Sequence, residues 1–93
     1  MKQYIRQEQT DKLNELEFGN LSEYNIGDLI EILPKQIKNI NGNYNLNIFF
    51  ARNRWHIVYM NHHNSYELRR ASDEELIDAL YKMVVKLKED CIL

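Results

Sequence analysis

Two runs of alternating residues, separated by one short polar break, constrain this chain more than anything else in it. Tyr44, Leu46, Ile48 and Phe50 alternate with Asn45, Asn47 and Phe49, and Trp55, Ile57 and Tyr59 resume the alternation after Arg52-Asn53-Arg54. A period of two puts every second side chain on one side of a pleated strand, so each run predicts a half-buried strand and the break predicts a tight reversal. With Asn53 and Arg54 as a two-residue loop, Phe50 lies opposite Ile57 and Ile48 opposite Tyr59, all on the core face. The same register turns Phe49 and Val58 outward as a facing pair, bordered by Asn45, Asn47, His56 and Met60.

The flanking segments extend this hairpin in both directions. Lys35 to Ile40 can pair with the first long strand across Asn41-Gly42, a dipeptide that supplies the two positive-φ residues of a type I′ turn. Asn61 to Ser65 reads as a polar turn, and Tyr66 to Arg70 as a short edge strand whose Arg69 and Arg70 discourage edge-to-edge pairing. Ahead of the strands, Ile26, Leu29, Ile30 and Leu33 recur at helical spacing between an N-capping Asn25 and a terminating Pro34. After them, Ser72-Asp73-Glu74-Glu75 has the Ser-x-x-Glu form of a capping box, with carboxylates where the helix dipole favours negative charge. Leu76, Leu80, Met83, Val84 and Leu87 then form a core stripe.

Together these elements predict an α+β fold in one domain, residues 1–93. It is an antiparallel β-meander of three to four strands, flanked by a short N-terminal helix and a long C-terminal helix packed on one face. A chain of this length buries only roughly 60–65% of its unfolded surface, so the core is thin. Ile77, Tyr81 and Val85 widen the apolar face of the last helix beyond what one sheet covers, and a second surface must meet them. Residues 1–20, with disorder expected over 1–10 and a helix suggested by Leu13, Leu16 and Phe18, are one such cover. A second copy in a homodimer, meeting Tyr81, is the other.

Charge is unevenly distributed along the chain. Three cations face seven carboxylates over residues 1–31, six face one over residues 35–70, and three face six over residues 71–93. The formal net charge of −2 therefore hides a segregated molecule, which bears on partners and encounter rates rather than on fold. No apolar run is long enough to cross a bilayer and the N-terminus lacks a signal peptide, so the expected setting is cytoplasmic, without membrane contact. The single cysteine, Cys91, allows neither an internal disulfide nor a cysteine-based zinc cage.

Catalytic constellations are scarce. Adjacent His62 and His63 cannot easily face one tetrahedral ion together, and no carboxylate sits at ligand spacing, so no metal or cofactor is expected. Ser72 reads as a helix cap rather than a nucleophile, and Gly19, Gly27 and Gly42 are too scattered to cradle a phosphate. These features predict a non-enzymatic binding protein. Its candidate partner-binding residues are Phe49, His56, Val58 and Met60 on the outer sheet face, the cations Arg52, Arg54, Arg69 and Arg70, and Tyr81 on the last helix. The four arginines with Trp55 also define a second expectation, a nucleic-acid surface of cations and stacking rings. The order of helices and strands is similar to that of double-stranded-RNA-binding domains, yet Asp73, Glu74 and Glu75 stand where those domains carry a lysine cluster.

Two blocks, Ile26-Gly27-Asp28-Leu29-Ile30-Glu31-Ile32-Leu33-Pro34-Lys35 and Glu75-Leu76-Ile77-Asp78-Ala79-Leu80-Tyr81-Lys82-Met83, resemble those of small phage and prophage proteins of low-GC bacteria. The richness in Asn, Ile, Lys and Tyr, all encoded by AT-rich codons, is in keeping with such a genome. The resemblance covers about a fifth of the chain and carries over no functional residue. It implies an accessory role in a host cytoplasm, exerted by binding a host protein such as a defence nuclease complex, as an anti-CRISPR protein does.

Overall fold

The computed structural model describes residues 2–19, 21–40 and 42–93. Three helices, α1 (Gln7–Glu15), α2 (Ile26–Ile32) and α3 (Leu76–Glu89), combine with four strands, β1 (Gln36–Asn39), β2 (Gly42–Ala51), β3 (Arg54–Met60) and β4 (Glu67–Asp73). The strands form one antiparallel meander in the order β1-β2-β3-β4, and the helices supply a second layer. The α+β architecture is the one the alternating runs predict.

The β2–β3 register differs from the expected one by two residues. Ala51 pairs with Arg54, Phe50 with Trp55, Phe49 with His56 and Ile48 with Ile57, so the loop is Arg52-Asn53. Both loop residues have positive φ, 54° and 61°, as a type I′ turn requires. A slip of two leaves the faces unchanged, because side chains alternate with a period of two. Leu46, Ile48, Ile57 and Tyr59 therefore still face the helices. What changes is the pairing: Phe49 stands opposite His56, and Val58 lies between Asn47 and Arg70. The first hairpin is also shifted. Asn39 pairs with Gly42, so Gly42 belongs to β2, while Asn41 of the expected Asn41-Gly42 turn lies outside the described residues.

The helix starts follow the sequence in one case and depart from it in another. Asn25 caps α2 as expected, its Oδ1 accepting the Asp28 N–H at 2.9 Å while Asp28 Oδ2 accepts the Asn25 N–H at 2.9 Å. The Ser72 capping box does not form. β4 runs on through Ser72 and Asp73, which pair with His56 and Trp55, so α3 starts after Glu75 with no side-chain cap. Asp73 instead accepts the Glu75 N–H through Oδ1 and the Lys82 ammonium through Oδ2 at 2.7 Å.

Residues 2–15, which include most of the stretch over which disorder is expected, lie against the rest of the chain. Tyr4 bridges to Asn25, the Ile5 N–H donates to the Tyr24 carbonyl, and Ile5 and Leu13 enter the same buried cluster as Ile77, Leu80 and Val84. The Lys2 ammonium, 2.8 Å from Asp78 Oδ2, ties this segment to the first turn of α3. The wide apolar face of α3 is thus met from one side by the sheet and from the other by α2, with Ile5 and Leu13 of the N-terminal segment joining the same cluster. Tyr81 and Val85 are left half-buried at its margin.

Candidate functional site

The far end of the β2–β3 hairpin carries most of the exposed aromatic surface that belongs to the sheet. Phe50 and Trp55 form a cross-strand pair with centroids 5.3 Å apart and planes at 59°. They continue the core face, yet Phe50 remains 55% exposed while Trp55 packs in part against the core. Arg52 and Arg54 flank them, both exposed, and no carboxylate of the described residues pairs with either. The cross-strand pairing holds the two rings in place on one hairpin, whereas the two unpaired guanidinium groups would be ordered by a partner.

The other face of the same hairpin is arranged differently. Phe49, 38% exposed, stacks on His56 at 5.1 Å, and the Arg70 guanidinium lies 6.0 Å from the Phe49 centroid. Arg70 Nη1 is 2.9 Å from His56 Nδ1, and His56 Nε2 is 3.1 Å from the Ala51 carbonyl. An arginine can only donate, so Nδ1 accepts and the ring proton sits on Nε2. Glu67 completes the group through two bonds to Arg70, one of 2.9 Å from Nε to Oε2 and one from Nη2 to Oε1. This pairing holds the Glu67 carboxyl below its ordinary range and raises Arg70.

The sequence-predicted residues are therefore not one surface. Val58 is fully buried, enclosed by its neighbours on the strands either side, and offers nothing to a partner. Met60 is half-buried opposite Asn45. Arg69 points to the helix layer, where its Nε meets Asp90 Oδ2 at 2.7 Å. Arg70 belongs to the outer face and is held by Glu67. Tyr81 lines a groove between α3 and β4, its hydroxyl raised chiefly by burial. Only Arg52 and Arg54 remain unpaired of the four arginines, and they sit with Phe50, a residue that periodicity assigns to the core. Its proximity to the turn was the signal: a core-face ring within two residues of a hairpin tip projects beyond the helix that covers the rest of the face.

His62 and His63 are exposed in the β3–β4 turn, and among the described residues no group of three or more His, Cys, Asp or Glu is placed to hold a metal ion. No helix of the described residues is long and apolar enough to cross a membrane. No protein-family model, curated protein or solved structure matches the chain. The fold and this surface define an α+β protein with a four-stranded meander that presents an aromatic and cationic hairpin.

Proposed function

We propose that the chain is a non-enzymatic binding module that engages an acidic protein surface through Phe50, Trp55, Arg52 and Arg54. The observation that carries this reading is the half-exposed Phe50 beside two arginines that have no internal carboxylate. Aromatic and arginine side chains dominate the energetics of protein interfaces, and burying one such ring contributes roughly 1.5–3 kcal/mol. The unpaired guanidinium groups add electrostatic selectivity and a faster encounter with a negatively charged partner. In the phage setting that the two sequence blocks imply, the partner is a host protein, and inhibition of a defence nuclease complex is the specific form of this role.

Affinity capture from a bacterial lysate with wild type, Phe50→Ala and Arg52→Glu/Arg54→Glu tests the reading. A partner held by wild type and lost by both folded variants supports it; capture that survives both variants removes it. A nucleic-acid role is the competing reading, since the same rings could stack on bases. Two phosphate contacts predict that log K falls with log salt with a slope of about −1.4 to −1.8. Tight binding of single-stranded DNA or RNA with that slope, abolished by the double charge reversal, would replace the protein partner with a nucleic acid.

A further inference from the structure

The two edges of the sheet are treated differently, and we propose that β1 is a docking edge for an extended, acidic segment of a partner protein, which adds to the sheet as a fifth strand. On β4 the Leu68, Arg70 and Ser72 carbonyls are each taken by a side chain: Arg69 Nη1 at 2.8 Å, Lys86 Nζ at 3.1 Å and Lys82 Nζ at 3.3 Å. These side chains lie across the strand's free edge, and cationic side chains on an edge are a known obstacle to further pairing. β4 is closed.

β1 has no such cover. The Leu46 N–H donates to the Lys35 carbonyl at 2.9 Å, which fixes the phase of the ladder. Antiparallel pairs alternate between bonded and non-bonded, so Ile37 and Asn39 turn their backbone groups toward β2, while Gln36 and Lys38 turn theirs away. Among the described residues nothing hydrogen-bonds to the backbone of Gln36 or Lys38 on that side. A groove of about 490 Å³ lies between β1 and the Leu68-Arg69 stretch of β4, lined half by apolar residues, Pro34, Ile37, Leu68 and Ile92, and half by polar ones. Its volume falls within the range of ligand clefts, and its four apolar residues can take alternate side chains of an added strand.

Charge selects the occupant. Lys35 and Lys38 are exposed, and neither has an ion pair among the described residues. A strand with its apolar side chains on the face of Ile37 and glutamate or aspartate at the alternate positions would place a carboxylate against Lys38 across the new pair, while Lys35, three residues away, lies on the other face. A second copy of this chain would bring its own Lys38 to this edge rather than a carboxylate, and so gains no ion pair there. The acidic segment of a different protein is therefore the occupant. The site is separate from the hairpin tip, so it stands or falls independently of the Phe50 surface.

The test uses a synthetic peptide of alternating valine and glutamate, with a valine and lysine repeat as its counterpart, titrated against the full chain while backbone amide exchange is followed by NMR. The expected result is binding of the glutamate peptide alone, with exchange slowed at the Gln36 and Lys38 amides and unchanged at Arg70 and Ser72. Lys38→Gln removes the charge and keeps the amide, whereas Lys38→Pro removes both at an edge position where proline is tolerated. Lys38→Pro should weaken binding about tenfold more than Lys38→Gln, the worth of one backbone hydrogen bond at the upper end of its range. Should Lys38→Pro not fold, Lys35→Glu/Lys38→Glu replaces it and should switch the preference to the lysine peptide. Phe50→Ala should bind as wild type does. Absent binding, equal binding of both peptides, protection at β4 rather than β1, or binding lost in Phe50→Ala would each overturn the proposal.

Discussion

Gly42 stands where two turns of the sheet meet. Its φ is +138°, a region that side-chain-bearing residues rarely enter, and a Cβ added there would lie 2.7 Å from Asn61 Nδ2. Asn61 is buried and holds the β3–β4 turn, donating its N–H to the Tyr66 carbonyl and accepting the Ser65 N–H at its carbonyl and the His63 N–H at Oδ1. Gly42→Ala should therefore strain one strand and displace the residue that organises another turn. The expected cost is about 1–3 kcal/mol, read as a lower urea midpoint with an unchanged slope. A second residue-scale expectation concerns acid. Arg70 holds Glu67 below its ordinary value of 4.5, and in Asp73 the Lys82 bond and backbone donors outweigh burial and lower it from 3.8. Carboxyls depressed in the folded state stabilise it fully above their unfolded values and lose that contribution as pH falls through the folded ones. Stability should be flat above about pH 5 and decline below about pH 4. Glu67→Gln should make the decline shallower in a series of thermal melts.

At the scale of elements, α3 depends on covers from both sides. Leu13 is fully buried although it is the one large apolar residue in α1, so Leu13→Ala should cost about 2–5 kcal/mol, in the range expected for Leu80→Ala on the sheet side. Tyr81→Ser, at the half-buried margin, should cost clearly less by the same thermal melts. An N-terminal segment that were a dispensable tail would leave Leu13→Ala near wild type. This contrast also marks where the sequence was legible. The helical spacing of Ile26, Leu29 and Leu33, the Asn25 cap and the alternation of β2 and β3 are local signals, and each produced its element. Helix α1 was hard to read because Gln7–Glu15 is otherwise polar, and its burial rests on one leucine and the small face of Gln9 and Thr10. The Ser72-x-x-Glu75 pattern misled for the converse reason: a local cap signal lost to pairing with Trp55 and His56, partners that lie far away in sequence. The loop position escaped because a two-residue slip leaves every side chain on its expected face.

Across the whole molecule, one ion pair joins the basic middle to an acidic flank, and others act between or within the flanks. Arg69 reaches Asp90, which ties the basic middle to the acidic C-terminal flank, Lys2 reaches Asp78, which ties the two acidic flanks together, and Lys82 reaches Asp73 within the last of them. What survives is local: Arg52 and Arg54 at the hairpin tip, Lys35 and Lys38 along β1. Those four cations were visible in the sequence, but which of the middle's charges would remain free depended on the fold. The sheet itself is also asymmetric: side chains bond to the backbone along the free edge of β4, and among the described residues none bonds to the backbone of Gln36 or Lys38 on β1. A fibril grows only if each newly added molecule presents a fresh border to the next, and here the opposite border is already occupied by Lys82 and Lys86. Pairing at β1 is thus a single event: the sheet can take one more strand, but has no template on which to pass the pairing on.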